Sequence, residues 1–178
     1  MGHNSRSPYI RKVAKDTLKG VVPDTPPVPM DTLVAREGLA ITESANLPNG
    51  SGYYDPSAWA IRLSRDLFVE APLNLNRRRF TLAHELGHCH LEHGDNSCWN
   101  LGFVAEATEL EDLDDLPNFE QEANEFAREL LLPRAWLARD WETEASAERW
   151  MNSYGVSPGT FFIVLNERRL LMPRRKRR

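Results

Sequence analysis

The chain has 178 residues, 41% of them hydrophobic and 27% charged, a balance that fits one ordinary globular protein able to bury a core. No apolar run approaches the roughly 20 residues that span a bilayer, and Met1 to Arg6 lacks the apolar stretch of a signal peptide, so no membrane partner is expected and the expected compartment is the cytoplasm. Two cysteines, Cys89 and Cys98, are too few for a disulfide framework, and the net charge of −4 conceals an acidic region between Glu106 and Glu129 and a basic end, Arg174 to Arg178.

In chain order, Ile10, Val13, Ala14 and Leu18 make an apolar face and predict a short helix over Ile10–Lys19. Val21–Pro29 holds four prolines and reads as an extended connector. Met30, Leu33 and Val34 predict a second helix, stopped by Gly38 and followed by a strand at Leu39–Ile41. The period then changes. Gly52–Tyr54 and Trp59–Leu63 flank the turn-forming Asp55–Ala58, which predicts a β-hairpin. Such a hairpin offers an edge along which a substrate strand can lie, and Tyr53 or Tyr54 is a candidate hydroxyl for an oxyanion, set against plain packing roles.

Phe80 to His93 carries most of the chemistry, with four of the five histidines. His84 and His88 stand four apart, so on a helix both imidazoles face one way and can clip one metal ion. Glu85 follows His84, turned from it by about 100°. It borders the ion rather than binding it, which suits a base that takes a proton from water activated by the metal. This is the His-Glu-x-x-His pattern of metal peptidases. Asn74 or Asn76 is the expected cap of this helix, which should run from Arg77 to His93 before Gly94. Arg77, Arg78 and Arg79 would then crowd the positive end of the helix dipole and need acidic neighbours or solvent. Gly87 is expected to admit a neighbouring backbone. Cys89 reads as a packing residue, and His90 and His93 as surface groups or neighbours of the ligands.

A third ligand is needed, since a catalytic zinc takes three protein ligands and leaves a fourth position open. After a polar, acidic connector over 95–115, long enough to be a lid, the helix Asn118–Leu132 buries Phe119, Ala123, Phe126, Ala127 and Leu130. Glu120 sits at the edge of that stripe and is the expected ligand, with Glu122 the alternative; Asn124 can steady a ligand. A short helix should follow Pro133, then one over Ala145–Tyr154 and one opened by Ser157 and Pro158. The last two have a helix-turn-helix flavour, but plain packing is the commoner use of such a pair.

Together, Pro26–Pro29, Gly52-Tyr53-Tyr54, Arg79 to His88, and Glu120-Gln121-Glu122-Ala123-Asn124-Glu125-Phe126-Ala127 running to Pro133 resemble the ImmA/IrrE family of bacterial metallopeptidases. The resemblance implies an α+β, zincin-like fold: a small β-sheet beside a central metal helix, with further helices in the C-terminal half. It implies Zn2+ on His84, His88 and Glu120, with Glu85 as catalytic base, although Mn2+ or another divalent ion suits the same donors. The expected units are a peptidase domain over 1–143, a helical extension over 144–171 and a basic tail over 172–178. The implied activity is metalloendopeptidase cleavage of a DNA-binding, helix-turn-helix repressor, which switches genes on. The alternative is a metal-stabilised module or toxin–antitoxin component that binds a repressor or DNA without cutting.

Overall fold

The computed structural model describes residues 6–21, 24–93, 118–141 and 146–170. The expected lid over 95–115, Gly94 and the basic tail lie outside the described residues. Helix α1 (Ser7–Thr17) buries Ile10, Ala14 and Thr17, and α2 (Met30–Arg36) buries Met30, Leu33 and Val34. Gly38, just beyond α2, has φ +74°, a conformation glycine adopts without a side-chain clash. The chain then enters β1 (Ala40–Ser44), β2 (Gly52–Asp55) and β3 (Ala60–Ser64).

The sheet order is β1-β3-β2, with β1 parallel and β2 antiparallel to β3. β3 is therefore hydrogen-bonded along both edges, and four of its five residues are buried. Of the two arms of the hairpin, β3 is closed to an added strand, whereas β2 is an outer strand. Trp59 itself lies outside β3, with φ 50°, and its indole N–H donates to the Glu37 carbonyl at 3.2 Å.

After a 3₁₀ turn (Arg65–Phe68), α3 runs over Pro72–His90. It starts earlier than the expected Arg77 and uses neither Asn74 nor Asn76 as cap. Ala71 is extended and Pro72 opens the helix, where its fixed φ suits the first turn and its missing N–H costs nothing. The three arginines consequently sit beyond the first turn. Arg78 makes a paired contact with Asp31 at 2.8 and 2.5 Å. Arg79 donates to the carbonyls of Val28 (2.9 Å), Gly155 (3.2 Å) and Tyr154 (3.4 Å).

From Phe80 to His88 every residue of α3 is buried, because the sheet lies on one side and α4 (Asn118–Leu131) on the other. Two glycines permit these approaches. A Cβ on Gly52 would stand 2.7 Å from Thr81 Cγ2, and one on Gly87 would stand 3.0 Å from the Phe126 ring and 3.3 Å from Ala123 Cα. Helices α5 (Arg134–Trp141), α6 (Ala147–Tyr154) and α7 (Pro158–Glu167) complete the described chain. Ser146 and Ser157 accept from Arg149 N and Thr160 N and so cap α6 and α7. Trp150, Tyr154, Phe161 and Val164 share one core with Leu82, Leu86, Phe126 and Leu130. Each such fully buried side chain contributes about 1.5–3 kcal/mol. Among the described residues, no helix is long and apolar enough to cross a membrane.

Candidate metal centre

The crossing of α3 and α4 sets the centre. His84 and His88 project from one face of α3 toward α4, where Glu120 sits one turn before Asn124. His84 Nε2 lies 3.0 Å from His88 Nε2 and 3.0 Å from Glu120 Oε2, and His88 Nε2 lies 3.5 Å from Glu120 Oε1. One ligand atom from each residue lies within 4.8 Å of the others, and all three residues are buried. Glu120, at 1% exposure, is taken wholly out of water.

The hydrogen bonds behind this cluster decide what it can hold. Asn124 Oδ1 is an acceptor 3.1 Å from His84 Nδ1, so His84 carries its proton there and presents a lone pair at Nε2. Both Glu120 oxygens are buried without a hydrogen-bond donor of good geometry. A carboxylate and imidazole lone pairs thus face one point, an arrangement that repels itself unless a cation fills it. The donor set, two nitrogens and one oxygen, fits a divalent metal ion.

The charges agree. Burial opposes ionisation of Glu120, yet the close approach of the His84 and His88 imidazoles outweighs it and brings the carboxyl down to about 2. Burial brings His88 down to about 4. Burial would also lower His84, but Glu120 and Glu85 outweigh it and raise that imidazole.

Glu85 is also buried, one position along α3. Burial pushes its carboxyl up to about 7, with Glu120 adding to the rise and His84 opposing it. Its Oε2 accepts the Tyr54 backbone N–H at 2.8 Å. The strand β2 therefore meets the centre through its backbone. Burial and the neighbouring Cys89 thiol push the Tyr54 phenol up to about 12. Tyr53, on the opposite face of the strand, lies half-buried under the Arg62 guanidinium, 6.0 Å from its ring centre.

Glu122, the alternative ligand, lies behind the centre instead. Its Oε2 is 3.2 Å from His93 Nε2 and 2.7 Å from Arg6 Nη1. His93 Nδ1 in turn lies 2.9 Å from His88 Nδ1. The five-residue step from His88 to His93 does not suggest this contact on a continuous helix, because it depends on how α3 ends. His90 turns elsewhere, stacked on Phe126 with ring centres 5.7 Å apart.

Comparison with known proteins accords with this arrangement. None of the curated proteins matches the sequence significantly. Among solved structures, a Mycobacterium tuberculosis transcriptional regulator aligns over 96% of this chain with a TM-score of 0.53 and 17% identity, a likeness of fold. The alignment covers 49% of that protein, so this chain spans about half its length. The pattern of the IrrE N-terminal-like domain, Peptidase_M78, matches residues 35–168 and so takes in the sheet, the metal helix and Glu120. By that match over more than half of its length, the chain belongs to the Peptidase_M78 (IrrE N-terminal-like) family.

Proposed function

We propose that this chain is a zinc-dependent endopeptidase that cleaves a DNA-binding repressor, with His84, His88 and Glu120 as ligands and Glu85 as general base. The observation that carries the reading is the pairing of a three-donor cluster with a buried carboxylate one residue away, its pKa raised to about 7. A divalent ion held there supplies Lewis acidity toward a scissile carbonyl and the attacking water. Glu85 takes the proton of that water at its carboxylate and later delivers it to the leaving amine. The Tyr54 N–H holds Glu85 Oε2, leaving Oε1 to do the transfer. Asn124 holds His84 in the tautomer that binds metal. The substrate strand lies along β2, the outer strand next to α3.

The choice of substrate rests on the family and on the regulator whose fold this chain shares. The competing reading, a structural metal module, calls for a fourth protein ligand. Among the described residues the cluster has three, and Cys89 and His90 face Tyr54 and Phe126. Nor does α7 resemble a DNA-reading helix: its exposed positions are Pro158, Phe162, Asn166 and Glu167, with no cation to meet phosphate.

The test is incubation of zinc- or manganese-loaded protein with the repressor encoded beside its gene, followed by gel and intact mass, in parallel with Glu85→Gln. Cleavage by the wild type alone is expected and gives the cut site. Binding of the repressor by both forms without cleavage would overturn the peptidase reading in favour of the module.

A further inference from the structure

Where α3 ends, the backbone makes a turn that is unusual for its residue. Glu92 has φ 57°, the left-handed region that glycine normally fills. His93 N donates to the His88 carbonyl at 3.1 Å and Glu92 N to the Cys89 carbonyl at 3.3 Å, the paired bonds of a Schellman ending. This turn folds His93 back over the last turn of the helix. Its ring arrives edge-on to His88, with ring centres 4.9 Å apart, and Phe119 lies 6.2 Å from both rings.

We propose that His93 and Glu122 are positioning residues that fix His88 as a metal ligand, in a relay that begins at Arg6. The inference rests on the metal-centre reading above and adds two residues to it. The direction of the relay follows from its far end. The Glu122 Oε2 that faces His93 already takes the Arg6 guanidinium at 2.7 Å and so serves as an acceptor. His93 must therefore place its proton on Nε2, facing Glu122, and leave Nδ1 as an acceptor. His88 then donates from Nδ1 and keeps a lone pair on Nε2, the atom that faces His84 and Glu120. One arrangement of protons satisfies all of these groups. The carboxylate thus orients an imidazole two hydrogen bonds away, and His88 is held both by its carbonyl and by its ring. Asn124 performs the same service for His84 in one step. The side chains of His93 and Glu122 are 5% and 6% exposed, so water does not substitute easily for either bond.

The test measures Zn2+ affinity by competition with a chromophoric chelator, and the visible spectrum of the Co2+-loaded protein, for wild type, His93→Ala, His93→Asn and Glu122→Gln. His93→Ala is expected to bind Zn2+ about 10–100-fold more weakly, with shifted Co2+ bands. His93→Asn, whose amide oxygen can accept from His88 Nδ1, should recover most of that loss. Wild-type affinity and spectrum in His93→Ala would overturn the relay. So would a loss in His93→Asn as large as in His93→Ala, since His93 would then only fill space. Should His93→Ala not fold, Glu122→Gln keeps the shape while removing the charge that orients the relay, and unchanged Co2+ bands there overturn it. Wild-type protein that binds neither ion would instead overturn the metal-centre reading itself.

Discussion

The backbone N–H of Tyr54 and the carboxylate of Glu85 meet at 2.8 Å, so the outer strand β2 and α3 are joined at an acidic group that borders the three-donor cluster without belonging to it. Neither partner can shift alone. Gly52, two residues before Tyr54, lets the strand come this close, since a Cβ there would stand 2.7 Å from Thr81.

Glu85 makes stability depend on pH in a stated direction. Its carboxyl rises from the ordinary 4.5 to about 7 through burial. Between those values the folded chain holds a proton that the unfolded chain releases, so metal-free protein loses stability as pH rises through that window. Glu85→Gln removes the effect. Thermal denaturation of the metal-free proteins should show the variant gaining on wild type by about 1–3 kcal/mol at pH 8, relative to their difference near pH 4.5. A difference independent of pH would contradict the burial of this group. The same variant should lose hydrolysis while keeping its metal.

Metal should act as a stabilising ligand. At about 1,000 times its dissociation constant an ion that binds only the folded chain adds about 4 kcal/mol. Melting temperature should therefore rise with Zn2+ and fall with chelator, and this response should be largely lost in Glu120→Gln, which keeps the shape of the third donor without its charge. An undiminished response in that variant would point to a different third ligand.

Gly87 marks the contact between α3 and α4. A methyl group there meets Phe126 at 3.0 Å and the Ala123 backbone at 3.3 Å, and the backbone cannot retreat without moving Glu120. Gly87→Ala is expected to destabilise by about 1–3 kcal/mol in urea titrations despite its better helix propensity. It should also weaken metal binding. A gain in stability would show that the helices are farther apart.

Glu92 offers the opposite substitution. Its left-handed backbone costs a residue with a side chain about 1–2 kcal/mol relative to the ordinary helical conformation. Glu92→Gly should raise the urea midpoint by an amount worth about 0.5–1 kcal/mol, with Zn2+ affinity unchanged because His93 keeps its place. A lower midpoint would mean that the Glu92 side chain has a contact worth more than the strain.

Much of the centre is legible in the sequence, because helical spacing alone puts His84 over His88 and sets Glu120 at the edge of a buried stripe. The helix α4 illustrates the strength of that signal: its apolar stripe and its terminating Pro133 place it within a residue of where it lies. Parts that depend on one backbone angle are not legible in this way. His93 reaches His88 through a left-handed Glu92, a conformation that the residue type argues against. The start of α3 was hidden for a related reason: an asparagine cap is the commoner signal, whereas Pro72 after an extended Ala71 opens the helix without one. Strand order also escapes local pattern. Nothing in Leu39–Ile41 says that it pairs parallel with the second arm of the hairpin and so leaves the first arm outside.

Arg79 binds carbonyls at both ends of the described chain, Val28 on one side and Tyr154 and Gly155 on the other. Burial lowers its pKa, so the site is costly to leave half-filled. Shortening the protein to the stretch that carries the metal donors would strip this guanidinium of two acceptors and take Trp150 and Phe161 out of the core they share with Leu82, Leu86, Phe126 and Leu130. The last two helices are therefore not freely exchangeable cargo, and a recombination event that swaps them must bring a matching partner for residue 79.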